Sequence, residues 1–157
     1  MQVQGQKISP SRLNEGLLRQ LVVMPAAREK NFYVAKSGGK VCGCICSFMP
    51  LNKDFGCFGF FEVDLNHKGR EDISKILLEA AFIDSKEQDK TKMLGPIEYN
   101  IWLSYRTKTK GFDKNFSWEP VHPEDYKSLI RESGFLESHL FFSEFVEVEK
   151  SSYKRHE

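Results

Sequence analysis

No stretch of this sequence approaches the roughly 18 consecutive apolar residues that a membrane-spanning helix needs, so no bilayer crossing is expected. The N-terminus lacks a basic patch leading into an apolar segment, which makes the cytoplasm the expected compartment. An excess of one charge is missing too. The 23 Lys and Arg against 22 Asp and Glu leave a formal charge of +1, and that balance gives no global reason to expect nucleic acid or an anionic membrane as a partner. Cysteine pairs at the C-x-x-C spacing of zinc sites are also absent. Cys42, Cys44 and Cys46 instead alternate with Val41, Gly43 and Ile45. That period of two predicts a strand with three thiols on one face, and Cys57 on a neighbouring strand. Adjacent same-face strand positions do not converge tetrahedrally, so the thiols read as small core hydrophobes and no metal is expected.

What is present is phenylalanine. The chain has 13, and four of them fall in the ten residues 55–64, Phe-Gly-Cys-Phe-Gly-Phe-Phe-Glu-Val-Asp. A run apolar on both faces predicts a central strand. A carboxylate, Glu62, follows it directly, and a helix begins soon after. Ligands gather where a strand ends and a helix starts. At 157 residues with 40% hydrophobic content, the length fits one domain over residues 1–150, with 151–157 as a polar tail.

Leu13, Leu17, Leu18 and Leu21 predict an amphipathic helix over residues 11–21, ended by Pro25. Residues 31–36 read as a strand, Ser37-Gly38-Gly39-Lys40 as a hairpin turn, and 41–49 as the return strand. After the strand at 55–63 comes a helix over 71–86, with Ile73, Ile76, Leu77, Ala80 and Ala81 on one stripe. A strand at 91–98 leads into Gly95-Pro96. Residues 99–120 form a long aromatic loop of the kind that is often functional. A last helix starts at His122-Pro123-Glu124-Asp125 and is capped by Gly134. A Phe- and Val-rich strand closes the chain at 138–148. The order is α-β-β-β-α-β-loop-α-β.

That order, together with Phe32-Tyr-Val-Ala35, Gly39-Lys-Val-Cys-Gly43, Phe58-Gly-Phe-Phe-Glu62, Leu77-Leu-Glu-Ala-Ala81, Gly95-Pro96 followed by Asn100, Gly111-Phe-Asp113 and the Tyr126 helix ending Gly134-Phe135, resembles the GNAT (N-acetyltransferase) superfamily. The wording is similar to an uncharacterised bacterial branch of it, and the matching pieces span roughly residues 30–145. The resemblance implies an α/β (α+β) acyl-CoA N-acyltransferase fold: a central, mixed, splayed β-sheet flanked by helices. The sheet would open between the strands at 58–63 and 92–97. The donor, acetyl-CoA or another acyl-CoA, would lie in that gap with its pyrophosphate on the amides at the start of the next helix, where unpaired donors and the dipole favour an anion.

By the same resemblance Glu62 is the candidate base and Tyr126 the candidate acid. The donor would be held by Val63, Asp64, Lys68, Gly69, Arg70, Ser74 and Asn100. Trp102, Tyr105, Trp118 and His122 would line the acceptor pocket, since loop aromatics with a polar edge suit a flat or apolar acceptor. The phosphate turn departs from the superfamily pattern. It reads Asn66-His-Lys-Gly-Arg-Glu-Asp-Ile-Ser74, with Asp72 and Ser74 at the two usual glycine positions. A carboxylate about 5 Å from a pyrophosphate costs on the order of 1–3 kcal/mol even when well screened, which His67, Lys68 and Arg70 would have to offset.

Two classes of function follow. One is CoA-dependent acyl transfer to an amine of a small molecule or protein, with a homodimer as an open arrangement. The other is a degenerate GNAT-fold module that binds a ligand or protein. A variant of the first takes its acyl group from an acyl carrier protein, whose acidic surface Lys68 and Arg70 would meet.

Overall fold

The computed structural model describes residues 2–5, 27–98, 101, 104–113, 119 and 121–144. The expected helix over 11–21 lies outside these residues, as do Asn100, Trp102 and Trp118. The elements are β1 (Gln2–Gly5), β2 (Ala27–Ser37), β3 (Lys40–Pro50), β4 (Phe55–Val63), α1 (Arg70–Glu87), β5 (Lys92–Leu94) and α2 (Asp125–Glu132). The five strands form one sheet in the order β1-β2-β3-β4-β5. The first four run antiparallel to their neighbours, and β5 pairs with β4 in parallel. Helix α1 is the crossover that a parallel pair requires.

The β2–β3 hairpin turns where the sequence predicts, through Gly38 and Gly39 at φ +55° and +80°. Two successive positive φ values match the right-handed twist of a hairpin and favour glycine at both positions. Helix α1 buries Ile73, Ser74, Leu77, Leu78, Ala81, Asp84 and Ser85. The buried stripe is thus rotated from the expected one. Ile76 and Ala80 are only half-buried, because polar residues share the face against the sheet. Below α1 lies the larger core, where Ile45, Phe58, Phe61, Val63, Tyr126 and Leu129 pack together. A second cluster of Cys46, Phe48, Cys57 and Phe60 lies apart from it.

Of three one-residue bulges among the described residues of the sheet, one of them between Ala27 and Lys30, two set which side chain faces which way near β4. The β2–β3 register shifts between Ala35 and Lys36, where Cys42 is the extra residue on β3. The β3–β4 register shifts between Cys44 and Cys46, where two residues of β4, Phe60 and Phe61, stand opposite one of β3. A bulge advances the alternation by one residue and reverses the faces beyond it. Hence Cys42 packs in the α1 core while Cys46 and Cys57 fall in the second cluster. The expectation that Cys42, Cys44 and Cys46 share a face is corrected on that ground.

Strand β5 spans three residues, not the eight expected over 91–98. Pro96 has no N–H to continue the ladder. Contact with β4 persists a little further, since the Ile97 amide donates to the Phe58 carbonyl at 2.8 Å. The two chains are so close there that a Cβ on Gly59 would lie 2.1 Å from the Ile97 carbonyl oxygen. Past that point the chain turns away. Glu98 N–H donates to Ser104 O at 2.8 Å, and Ile97 bridges to Tyr105. Among the described residues no strand pairs with that edge of β4 beyond Gly59, so the sheet opens there as expected. The strand expected over 138–148 is not found in its described part, where residues 138–144 have no strand pairing. A Phe-rich sequence supplies β propensity but not a partner edge.

Burial pushes the Cys57 thiol up to about 12, and the Cys44 thiol up to about 11, with the Glu62 carboxylate adding to the latter. Unfolding releases thiols that ionise near 8.5. Both folded values are raised, so their contribution is fully present below about pH 8.5 and is lost as pH rises through 11 to 12. Chemical denaturation across that range is expected to show stability falling from about pH 8.5 upward. Cys57→Ala should make the fall shallower, and an identical slope would refute the assignment.

Candidate active site

The bulge in β4 builds the site. Phe60 takes φ +50°, an outlier for a bulky side chain that bulges accommodate and that recurs at functional positions. With the faces reversed, Phe61 and Val63 point into the α1 core and Glu62 between them is exposed. Strict alternation through the same residues, with no bulge, would send Glu62 toward α1.

Opposite Glu62 on β3 stands Cys44, its direct cross-strand partner. Its thiol donates to the Phe60 carbonyl at 3.5 Å. From the other side comes Tyr126, in the first turn of α2 and only 3% exposed. Its hydroxyl donates to Glu62 Oε2 at 2.9 Å and accepts from the Val63 amide at 3.2 Å. The phenol therefore occupies the β4 edge that β5 leaves open. Its ring meets Phe61 edge-on at 5.4 Å and stacks with His122 at 5.8 Å. Burial raises the Tyr126 pKa above the ordinary phenol value; the Val63 amide pulls the other way and Glu62 adds to the rise. The group stays protonated through neutral pH, as a proton donor must.

Helix α2 delivers Tyr126 because both of its ends are well formed. The Tyr126 amide donates to Pro123 O at 3.2 Å. At the other end Gly134 N–H donates to Arg131 O at 2.9 Å and Phe135 N–H to Ile130 O at 3.4 Å, the paired bonds of a glycine-terminated helix. Phe135 then packs on Phe58 at 5.1 Å.

The turn into α1 has a different character from the one expected. The Gly69 amide donates to His67 Nδ1 at 3.0 Å, and the Arg70 amide to His67 O at 3.1 Å. The Glu71 carboxyl is held below its ordinary value first by its own backbone amide and then by Arg70. Three amides at the helix entrance thus already have acceptors. Asp64 turns its carboxylate onto the Asn66 amide at 3.0 Å, and Lys68 is exposed. The Arg70 guanidinium bonds Glu71 at 3.0 Å, Leu65 O at 3.2 Å and Asp125 at 3.4 Å. Ser74 is fully buried and turned toward α2, away from the entrance. Beside this turn, Lys36, Ser37, Gly38, His67, Gly69 and Asp72 line an open cleft of about 380 Å³. As folded, the turn disfavours a pyrophosphate: three of its amides have internal acceptors and the Asp72 carboxylate lines the cleft.

Of the residues expected to act, the structure brings Glu62, Val63, Tyr126 and His122 together. Tyr105 lies on the returning loop, ring-packed with Phe141 at 5.5 Å and with Arg106. Sequence reasoning did not place Cys44 beside Glu62, because that pairing depends on the bulge. It also overlooked a groove of about 690 Å³ between Thr109 and Phe112 on one side and Glu124, Lys127, Ser128 and Arg131 of the α2 region on the other. The polar spacing of three and four along α2 is the signal that would have pointed to it.

No protein-family model matches the chain, and no curated protein matches it. Solved structures do. An aminoglycoside acetyltransferase from an uncultured soil metagenomic sample, determined with sisomicin, superposes with a TM-score of 0.51 at 12% identity, covering 88% of this chain and 77% of that one. A Pyrococcus furiosus protein described as a candidate acetyltransferase gives 0.51 at 17% identity, covering 84% and 74%. At such identities the likeness is one of fold. The chain has the GNAT fold, a mixed sheet flanked by helices.

Proposed function

We propose that this chain is an acyltransferase that moves an acyl group from a thioester donor of the acyl-CoA type to an amine of a small molecule or protein. The observation that carries the reading is the Glu62–Tyr126–Val63 cluster at the open edge of β4. Acyl transfer needs a base for the attacking ammonium and an acid for the leaving thiolate, and the cluster offers Glu62 for the first and Tyr126, held by the Val63 amide, for the second. The amine nitrogen bonds to the carbonyl carbon and the C–S bond breaks. Glu62 takes the ammonium proton, Tyr126 protonates the departing sulfur, and the second proton that nitrogen sheds on becoming an amide leaves to solvent. The 2.9 Å bond between the two residues lets the proton on Glu62 pass to the phenolate, which restores both groups.

The internally satisfied turn favours a second version, in which an acyl carrier protein presents the thioester and no nucleotide phosphate has to sit at α1. A GNAT-fold module that binds without catalysis is the outcome if neither donor is used. Thermal unfolding with saturating acetyl-CoA and longer acyl-CoA separates these. Binding at 100 times the Kd adds about 2.7 kcal/mol, which for a chain of this size raises the Tm by roughly 5–10 °C. No shift with any acyl-CoA, together with amine acylation from an acyl carrier protein, would establish the second version. No shift and no acylation from either donor would exclude catalysis.

A further inference from the structure

Ser74 stands at a position where the resemblance leads one to expect glycine, and it has a contact that glycine could not make. Its side chain is fully buried between α1 and α2. Its hydroxyl donates to the Leu129 carbonyl at 3.2 Å and lies 3.3 Å from Ser133 Oγ. Ser133 Oγ bonds the same carbonyl at 2.8 Å. Leu129 follows Tyr126 by three residues, so the two share one face of α2, and both are buried. On the other side of Tyr126, its neighbour Asp125 is held by Arg70 at 3.4 Å, while Arg70 also reaches Leu65 O at 3.2 Å. Helix α1 therefore grips α2 on both sides of the tyrosine.

We propose that Ser74, seconded by Arg70, is a positioning residue that fixes the register of α2 on α1 and so holds the Tyr126 hydroxyl on Glu62 and Val63. A helix advances about 1.5 Å per residue. A slip of α2 by one residue would carry contacts of 2.9 and 3.2 Å beyond hydrogen-bond range. The two residues expected to hold a donor phosphate instead serve the acid. The inference rests on the reading of Tyr126 as that acid and extends it to how the acid is placed.

The test follows the phenol itself, so it does not depend on turnover. Glu62 on β4, Cys44 on β3 and His122 ahead of α2 are the titratable groups facing Tyr126, and Arg70 on α1 stands beside its neighbour. In tyrosine-labelled full-length protein, the ζ-carbon resonance of Tyr126, identified by its absence in Tyr126→Phe, is followed as pH is raised. In the parent chain it should remain protonated until the protein unfolds. Ser74→Ala should lower its ionisation by about one pH unit or more, a tenfold change in proton affinity, and bring it into the folded range. Arg70→Gln, which removes an exposed ion pair and so should fold normally, should shift it in the same direction by less. Ser133→Ala spares the bond between the helices and should leave the resonance in place. In acyl transfer, Ser74→Ala should lower kcat with little change in the donor KM. If Tyr126 titrates as in the parent in folded Ser74→Ala, the positioning role is overturned; should that variant not fold, an unmoved Tyr126 in Arg70→Gln overturns it. A parent chain that transfers no acyl group refutes the function reading alone, since the titration still decides the positioning.

Discussion

Glu62→Gln is expected to slow acyl transfer by about a hundredfold or more while leaving donor affinity nearly unchanged. The substitution preserves shape and keeps an oxygen that can accept the Tyr126 hydroxyl, now bonded to Glu62 Oε2 at 2.9 Å. What disappears is the site that takes the ammonium proton. Because Glu62 lies on the exposed side of β4, the variant should unfold at nearly the parent temperature, which separates lost chemistry from lost structure. Supplying the acceptor at higher pH, where more of the amine is already neutral, should recover part of the rate. Near-parent turnover at neutral pH would remove Glu62 from the role of base.

The largest expected effect on stability lies at the far end of α1. Asp84 is 7% exposed and accepts hydrogen bonds from Tyr33 Oη at 2.5 Å, Asn31 Nδ2 at 3.1 Å and Ser47 Oγ. The carboxylate thereby ties α1 to both β2 and β3. Burial, and then the bond to Asp84, push the Tyr33 phenol above its ordinary value. Asp84→Ala would leave the buried Ser47 hydroxyl and the half-buried Tyr33 hydroxyl facing a void, while the exposed Asn31 could turn to water. Each unsatisfied buried donor costs about 1–3 kcal/mol, so a loss of about 3 kcal/mol is expected, or roughly 10 °C in Tm for a chain of this length. Calorimetry of Asp84→Ala beside Asp84→Ala/Tyr33→Phe would check the origin, since removing the orphaned hydroxyl should restore part of the loss. A change within about 0.5 kcal/mol, the range of ordinary surface substitutions, would mean that the network contributes nothing.

Much of the frame was legible because it depends on local pattern. The hairpin at Gly38-Gly39, the apolar strand at Phe55–Val63 and the helix from Arg70 follow from turn chemistry and periodicity. Glu62 and Tyr126 were each identifiable as candidates, yet their bond spans 64 positions, and nothing local encodes it. The bulges at Cys42 and at Phe60–Phe61 were hidden for another reason: a bulge leaves no mark in the sequence pattern, and strict alternation read through it assigns the wrong faces beyond it. Asp84 escaped notice because a carboxylate on a helix is expected at the surface unless partners come from elsewhere. Ser74 was read by its place near a helix start, although its side chain direction depends on where α2 packs. The segment at 138–144 shows the reverse error, since Phe141 and Phe142 have strand propensity without an edge to pair with.

The bulge at Phe60–Phe61 makes strand pairing, and not only side-chain chemistry, a determinant of whether this site exists. Strict alternation through both phenylalanines would remove no catalytic group, yet it would turn Glu62 toward Leu77 and Ile73 and bring Val63 to the surface, whereas deleting one of them would let β3 and β4 pair without interruption and leave Glu62 opposite Cys44. Conversely, the two phenylalanines could exchange for other apolar residues with the count intact and the carboxylate would stay where it is. Across relatives of this chain, the site should therefore tolerate drift in the letters of this strand, and a one-residue shortening where the bulge is lost with it.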